Sequence, residues 1–212
     1  RRIVTRHDVE ILPVPVDDNG LDITCGIQNY PDARFALITP AHQSPLGVAL
    51  SLARRHQILE WADRSQAWII EDDYDSEFRY HGKPLPALKS LDAPQRVIYA
   101  GTFSKALFPA LRCAWLVLPV KQIAQFRHQA SLAPCAVPVL WQNTLADFLR
   151  EGHFWRHLKK MRQHYAQRRQ WIEQALTQQG FQVVPQKGGI QMVIRMIGDD
   201  IAHARKANAA GL

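Results

Sequence analysis

The stretch Val97–Arg112, with the sequence VIYAGTFSKALFPALR, indicates the class of fold. Its first four residues are apolar and mostly β-branched or aromatic, which predicts a buried strand that ends at Gly101. Thr102, Ser104 and Lys105 follow at once, so two hydroxyls and an amine lie just past the strand. Because ligands of open α/β sheets bind at the carboxyl ends of the strands, these side chains mark a candidate binding site.

The same stretch combines an amine with groups that can bind a phosphate. Lys105 can form a Schiff base with a carbonyl group. The hydroxyls of Thr102 and Ser104 and the guanidinium of Arg112 can bind a phosphate. Together these groups suit a phosphorylated carbonyl cofactor. The alternative is a lysine in an ordinary surface loop that follows a buried strand.

A second apolar run, Trp68–Ile70, ends in a block of acidic residues. The block is Glu71–Asp75, EDDYD, which places four carboxylates and one phenol at the end of a predicted buried strand. Pyridoxal phosphate needs a carboxylate that keeps its ring nitrogen protonated, and it needs a donor near its phenolic oxygen. The block can supply both, and a solvated acidic turn is the alternative.

Three motifs carry a family resemblance: HQSPLG at 42–47, EDDYDSEFRY at 71–80 and GTFSKALFPALR at 101–112. They resemble motifs of the fold-type I pyridoxal-phosphate aminotransferases. More specifically, they resemble the aminotransferase-like effector domain of MocR-type transcriptional regulators of the GntR superfamily. The resemblance extends from Ile11 to about Ile194, and the acidic block precedes the lysine in the order and at the spacing of that family.

The resemblance implies a role for each cofactor-binding residue. Lys105 is the Schiff-base lysine and catalytic residue, Asp72 pairs with the pyridinium nitrogen, and Tyr74 donates to the phenolic oxygen. The implied phosphate-binding residues are Thr102, Ser104 and Arg112. Successive residues of a strand point to opposite faces, so we expect Asp72 and Tyr74 on one face, with Asp73 and Asp75 on the other.

The HQSPLG loop departs from the enzymes of the family at one position. Ser44 stands where they usually have an asparagine, just before Pro-x-Gly, that donates to the phenolic oxygen. This departure is typical of the regulator branch. His42 is a further candidate cofactor-binding residue, and a structural or solvated loop histidine is the alternative.

Strands and helices alternate around these motifs. Phe35–Ile38 is a predicted strand, and Ser51 is a predicted N-cap of a helix that extends to about Ser65. With the strand at Trp68 they form a βαβ unit, which predicts a parallel sheet and an α/β fold. Ala114–Leu118 is predicted to be a further buried strand. The predicted buried stripe of the helix is Leu52, Ile58, Leu59 and Ala62, and its predicted solvated side is Arg54, Arg55, Glu60 and Asp63.

The C-terminal part is predicted to be mostly helical. Helices are expected at Lys121–Leu132, at Val139–Arg150 and from about His153 to Gln178, where Gly180 ends the last one. Strands are predicted at 183–185 and 190–194. The predicted apolar face of the long helix is Phe154, Leu158, Met161, Tyr165, Ile172 and Leu176. Its basic residues are Arg156, Lys159, Lys160, Arg162, Arg168 and Arg169. We interpret them as a solvated face rather than as a DNA contact.

By the resemblance, residues 1–152 are part of a pyridoxal-phosphate-binding large domain, a mostly parallel sheet with flanking helices. Residues 153–212 are then the interdomain helix and the start of a small C-terminal α+β domain. The sequence has no initiator methionine, so we expect it to be a piece of a longer chain. The family's ring-stacking aromatic residue and substrate-carboxylate arginine are expected outside it.

Composition excludes several classes of protein. Hydrophobic content of 47% and charged content of 21% are ordinary for a globular domain, and no apolar run is long enough for a membrane span or signal peptide. The three cysteines, Cys25, Cys113 and Cys135, are unclustered, which argues against a disulfide framework or a metal site and favours the cytoplasm. The net charge of +7 is dispersed, and no DNA-reading module is recognisable.

Three functions remain open. The first is a sensor domain of a transcriptional regulator that binds an amino compound or pyridoxal phosphate by Schiff-base chemistry, with DNA bound through a separate N-terminal domain. The second is an active aminotransferase that acts on an amino acid, and the third is an interaction domain without cofactor. The resemblance further implies a homodimer with its sites at the subunit interface, and it leaves the amino substrate or effector and the target DNA open.

Overall fold

The computed structural model describes residues 9–83, 85–132 and 137–211, and Cys135 lies outside these ranges. The strands are β1 Val16–Asp17, β2 Gly20–Leu21, β3 Phe35–Ile38, β4 Trp68–Asp73, β5 Val97–Thr102, β6 Ala114–Val117, β7 Gln182–Val183 and β8 Ile194–Arg195. The helices are α1 Ile23–Asn29, α2 Leu52–Arg64, α3 Leu88–Leu91, α4 Ile123–Leu132, α5 Val139–Arg150, α6 His153–Gln178 and α7 Asp200–Ala209.

A four-stranded sheet in the order β3-β4-β5-β6 is the centre of the fold. The first three strands are parallel and β6 is antiparallel to β5, so the predicted α/β class is confirmed and the sheet is mixed. Helix α2 connects β3 to β4. It begins after Ser51, whose side chain accepts a hydrogen bond from the backbone N–H of Arg54, as the N-cap prediction required.

One hydrophobic core lies between α2 and the sheet. Ile58 and Ala62 of α2 pack in the same cluster as Ile69 of β4 and Val97 of β5, and all four are buried. Two parts of the α2 prediction are wrong. Leu52 is exposed, and the buried Arg55 donates to three backbone carbonyls, those of Pro40, Leu50 and Pro86. These carbonyls satisfy the guanidinium, which allows a charged side chain to occupy a buried position.

A second core connects the loop after β5 to α6. Phe103 packs edge-to-face on Phe154, and Phe78 packs in the same way on Tyr165. The predicted bounds of α6 are confirmed, but its apolar face ends earlier than expected because Ile172 is half exposed. Arg169, predicted on the solvated side, is buried and donates to the backbone carbonyls of the C-terminal segment.

The largest differences from prediction lie at the edges of the fold. Among the described residues, β6 is an edge strand of the sheet. Its Leu116 and Val117 are about half exposed, so the prediction that this strand is buried is wrong. The C-terminal strands are shorter than predicted, with two residues each in β7 and β8. Helices α1, α3 and α7 were not predicted. Within the described ranges, no helix has the length and hydropathy that a bilayer crossing requires.

Candidate functional site

Three loops that follow neighbouring parallel strands meet at one edge of the sheet. The HQSPLG loop follows β3, Tyr74 follows β4, and Ser104 and Lys105 follow β5. Asp72 and Asp73 pair in register with Ala100 and Gly101, so the acidic block and the lysine motif begin at the same level. The sheet thus places all three sequence motifs at the carboxyl ends of its strands, where α/β proteins bind ligands.

The two adjacent aspartates of β4 have different surroundings. Asp73 accepts hydrogen bonds from the Tyr99 hydroxyl at 2.8 Å and from both the hydroxyl and the backbone N–H of Ser76. Asp72 is half-buried and accepts no hydrogen bond from any residue that the structure describes. Burial, with a smaller contribution from the charge of Asp73, raises the pKa of Asp72. Its carboxylate is therefore available for a cationic ligand group.

The phenol of Tyr74 is held by the HQSPLG loop. Its hydroxyl donates to the backbone carbonyl of His42 at 2.8 Å and lies 3.2 Å from His42 Nδ1. Burial and the charge of Asp75 raise the pKa of Tyr74 to about 12, and the nearby Ser44 side chain has a smaller, opposite effect. The phenol therefore stays protonated at neutral pH and remains a hydrogen-bond donor.

The predicted alternation of side chains does not extend to Asp75. We expected Asp75 to face away from Tyr74, but its buried carboxylate lies 3.2 Å from Nδ1 of His42, the imidazole that Tyr74 also contacts. Asp75 also accepts from the backbone N–H of Ile190 at 3.4 Å. The reason is that β4 ends at Asp73, so the two-residue period no longer applies.

The end of β5 presents a hydroxyl pair. Thr102 Oγ1 lies 3.0 Å from Ser104 Oγ and accepts a hydrogen bond from the backbone N–H of Ser104 at 3.1 Å. Gly101, just before this pair, leaves room for the indole of Trp115 on β6, because a Cβ at this position would overlap the ring. The hydroxyls and the nearby backbone N–H are groups that bind phosphate oxygens.

Lys105 and Arg112 lie at the surface near the hydroxyl pair. Both side chains are exposed, and neither has a hydrogen-bond or ion-pair partner in the described part of the chain. Arg112 has a left-handed backbone with φ of 49°, at the end of a short turn over Pro109–Leu111. The chain then enters β6, whose Ala114 pairs with Thr102, so Arg112 returns to the end of β5.

Sequence reasoning missed the segment Gln186–Gln191, which lies against this edge. Gly189 packs directly on the imidazole of His42, and Gln186 contacts the HQSPLG loop at Leu46. The adjacent glycines 188 and 189 were the available signal, since Gly allows close approach of a backbone. They lie in the connection between the strands predicted at 183–185 and 190–194.

A mixed sheet with an acid, a phenol, a hydroxyl pair and a lysine at the ends of its parallel strands has the architecture of the fold-type I pyridoxal-phosphate transferases. The chain belongs to the aminotransferase class I and II family, whose family model matches residues 1–207. This match confirms the recognition that the three motifs suggested.

Several curated relatives are transcriptional regulators. The chain is 40% identical over 176 residues to the HTH-type transcriptional regulator YdeL of Bacillus subtilis, which is 83% of this chain and 38% of YdeL. It is 41% identical over 159 residues to the probable rhizopine catabolism regulatory protein MocR of Rhizobium meliloti, which is 75% of this chain and 32% of MocR. The chain thus spans about a third of the length of these relatives.

Among solved structures, the chain is similar to LysN, the α-aminoadipate aminotransferase of Thermus thermophilus, complexed with N-(5'-phosphopyridoxyl)-L-leucine. The TM-score is 0.76 at 28% sequence identity, and the similarity covers 85% of this chain and 48% of LysN. This agreement confirms the fold-type I prediction.

Proposed function

We propose that this chain is the pyridoxal-phosphate-binding, aminotransferase-like effector domain of a MocR-type transcriptional regulator. The observation that carries the proposal is the end of β4, where Asp72 has no partner among the described residues and Tyr74 is a protonated phenol two residues away. A carboxylate and a protonated phenol are the groups that the ring nitrogen and the phenolic oxygen of pyridoxal phosphate require. The regulator relatives favour this use of the fold.

The residues present fit the cofactor. Pyridoxal phosphate supplies, when bound, an aldehyde that an amine can capture and a ring that withdraws electrons. Asp72 would keep a proton on the ring nitrogen, and Tyr74 would orient the phenolic oxygen. Lys105 would provide the amine, with its exposed side chain accessible to the aldehyde. The phosphate would be bound by Thr102, Ser104 and Arg112.

The proposal extends to the organisation of the whole protein. Residues 1–152 would form part of the large domain, and residues 153–212 the interdomain helix and part of a small domain. We expect a homodimer in the cytoplasm, with an amino compound or pyridoxal phosphate as the ligand and DNA bound through a separate N-terminal domain. The similarity of YdeL and MocR to this chain supports the regulatory assignment.

The test uses the full-length protein with pyridoxal phosphate. We expect a visible absorbance band, and borohydride should fix the cofactor on the peptide that contains Lys105. A protein that stays colourless and unmodified at millimolar cofactor would contradict the proposal.

An active aminotransferase is the second candidate, and the similarity to LysN favours it. Lys105 could then also move a proton as a general base. Adding an amino acid together with a 2-oxo acid as amino-group acceptor to the loaded protein separates the two functions. A sensor changes its absorbance and DNA affinity with little keto acid formed, whereas an enzyme produces keto acid over many turnovers.

A further inference from the structure

The C-terminal segment Gln186–Gln191 is fixed against two parts of the fold. Its Lys187 carbonyl accepts from the backbone N–H groups of Tyr80 and His81, and Gly189 N–H donates to the carbonyl of Phe78. From the other side, the buried guanidinium of Arg169 on α6 donates to the carbonyls of Gly188 and Gln191 and to the side chain of Gln186. The segment is thus held in one place beside the acidic block.

Gly189 brings this segment into direct contact with His42. Its φ is +84°, and a Cβ at this position would overlap the imidazole ring. His42 is buried, and its Nε2 has no hydrogen-bond partner among the described residues. The imidazole is therefore enclosed by the backbone of Gly189 on one side and by Tyr74 and Asp75 on the other.

The contacts of the His42 ring indicate which of its two nitrogens acts as a hydrogen-bond donor. The phenol of Tyr74 has one proton, and it is donated to the His42 carbonyl. Nδ1 lies 3.2 Å from both the Tyr74 oxygen and the Asp75 carboxylate, so these contacts require Nδ1 to be the donor. A proton on Nδ1 satisfies both contacts, while Nε2 has no hydrogen-bond partner among the described residues.

We propose that His42 and Asp75 are positioning residues that hold the Tyr74 phenol for the cofactor, and that the segment Gln186–Gln191 keeps His42 in place. The inference rests on the proposed function, because it assumes that Tyr74 donates to the phenolic oxygen of pyridoxal phosphate. His42 Nδ1 fixes the phenol oxygen, while rotation about the C–O bond can redirect the phenol proton from the His42 carbonyl to the cofactor. Binding at the site is thereby coupled to the position of the C-terminal segment.

The first test compares two substitutions of His42 in the full-length protein. His42→Leu removes the Nδ1 donor and should weaken pyridoxal phosphate binding about fivefold to tenfold, which corresponds to one hydrogen bond. His42→Asn keeps a donor on the atom that replaces Nδ1, and it should retain affinity within about twofold of wild type. Both variants are titrated with pyridoxal phosphate, and the visible absorbance is followed against pH.

Combining the variants with Tyr74→Phe shows whether His42 acts through the phenol. In the Tyr74→Phe background, His42→Leu should have no further effect on affinity or on the pH dependence of the absorbance. If the two substitutions instead weaken binding independently, so that their fold-changes in affinity multiply in the double variant, the positioning role is overturned.

The second test uses two glycines with the same backbone conformation. Gly189→Ala places a methyl group on His42, whereas Gly180→Ala, at φ of +82°, has no atom within 4 Å of the added Cβ. Both variants carry a similar backbone cost, and Gly189→Ala adds the overlap with the buried imidazole, so it should lose more thermal stability than Gly180→Ala. Only Gly189→Ala should weaken cofactor binding, and equal affinities of the two variants would contradict the coupling.

A cofactor-free measurement separates this inference from the proposed function. Amide hydrogen exchange in residues 186–191 of the apoprotein should accelerate in His42→Leu and not in His42→Asn. Unchanged exchange in His42→Leu would overturn the inference even where the wild type binds cofactor. A wild type that binds no pyridoxal phosphate overturns the proposed function, and with it the role of His42 towards that cofactor.

Discussion

The carboxyl ends of β4 and β5 lie side by side, but their side chains are held in different ways. At the end of β4, Asp73, Tyr74 and Asp75 all have hydrogen-bond partners within the protein. Beyond β5, Lys105 and Arg112 are exposed and have no partner in the part of the chain that the structure describes. The end of β4 is therefore organised in advance, which lowers the ordering cost of binding there, whereas Lys105 and Arg112 would have to be ordered by the ligand itself.

Lys105→Ala should have the largest effect on binding and almost none on folding. The variant should lose the borohydride-fixed adduct completely, because the amine that captures the aldehyde is gone. Its free energy of unfolding should stay within about 0.5 kcal/mol of wild type, since the side chain is exposed. Mass spectrometry of reduced peptides and thermal unfolding measure the two properties. Lys121→Ala, at another exposed lysine, is the control that should keep the adduct.

The adjacent aspartates provide a test of the difference within β4 itself. Asp72→Ala should weaken pyridoxal phosphate binding about tenfold or more, because a charge-assisted contact with the ring nitrogen is lost. Asp73→Ala should leave affinity nearly unchanged and lower the free energy of unfolding by about 1–3 kcal/mol, since Tyr99 and Ser76 lose their acceptor. Cofactor titration and denaturant unfolding measure both variants. The reverse outcome would show that the register is wrong by one residue.

The raised pKa of Asp72 predicts opposite effects of acid on folding and on binding. The folded apoprotein holds this proton more tightly than the unfolded chain, so stability should rise as the pH falls towards the ordinary carboxyl value near 4. Over the same window the carboxylate is lost, and affinity for the protonated ring should fall by up to about tenfold. Unfolding and cofactor titrations between about pH 4 and 7 test both trends. Asp72→Asn should remove the pH dependence of both stability and affinity. If stability and affinity instead change in the same direction with pH in the wild type, another group is responsible for the titration.

Ser44→Ala should have the smallest effect. The Ser44 side chain lowers the pKa of the Tyr74 phenol, so its loss should raise that pKa further and change cofactor affinity less than about threefold. Ultraviolet titration of the phenol and titration with pyridoxal phosphate measure the change. A tenfold loss of affinity would instead show that Ser44 contacts the cofactor directly.

Local patterns predicted much of the architecture. The bounds of β3 and α6 were found from hydrophobic periodicity, and α2 was found from its Ser51 N-cap as well. The positions of the three motifs at strand ends also followed from the order of the elements. These features depend on residues close together in the chain, so the sequence contains the evidence for them.

Long-range contacts explain what the sequence did not predict. Arg55 and Arg169 are buried because they donate to backbone carbonyls of other segments, and no side-chain pattern identifies such partners. The contact of Gly189 with His42 joins residues that are far apart in the chain. Asp75 was misassigned because the alternation was extended beyond the end of β4.

Helix α6 has a mechanical consequence. Its 26 residues form a rod about 39 Å long, attached near its start where His157 donates to the carbonyl of Ala106, the residue after Lys105. About 18 Å further along the rod, Arg169 holds the C-terminal segment. A tilt of about 5° at the first attachment would move the second by roughly 1.6 Å, which is enough to break its hydrogen bonds. Because displacement grows with distance from the pivot, a tilt of α6 about His157 would move the C-terminal segment more than the residues beside Lys105.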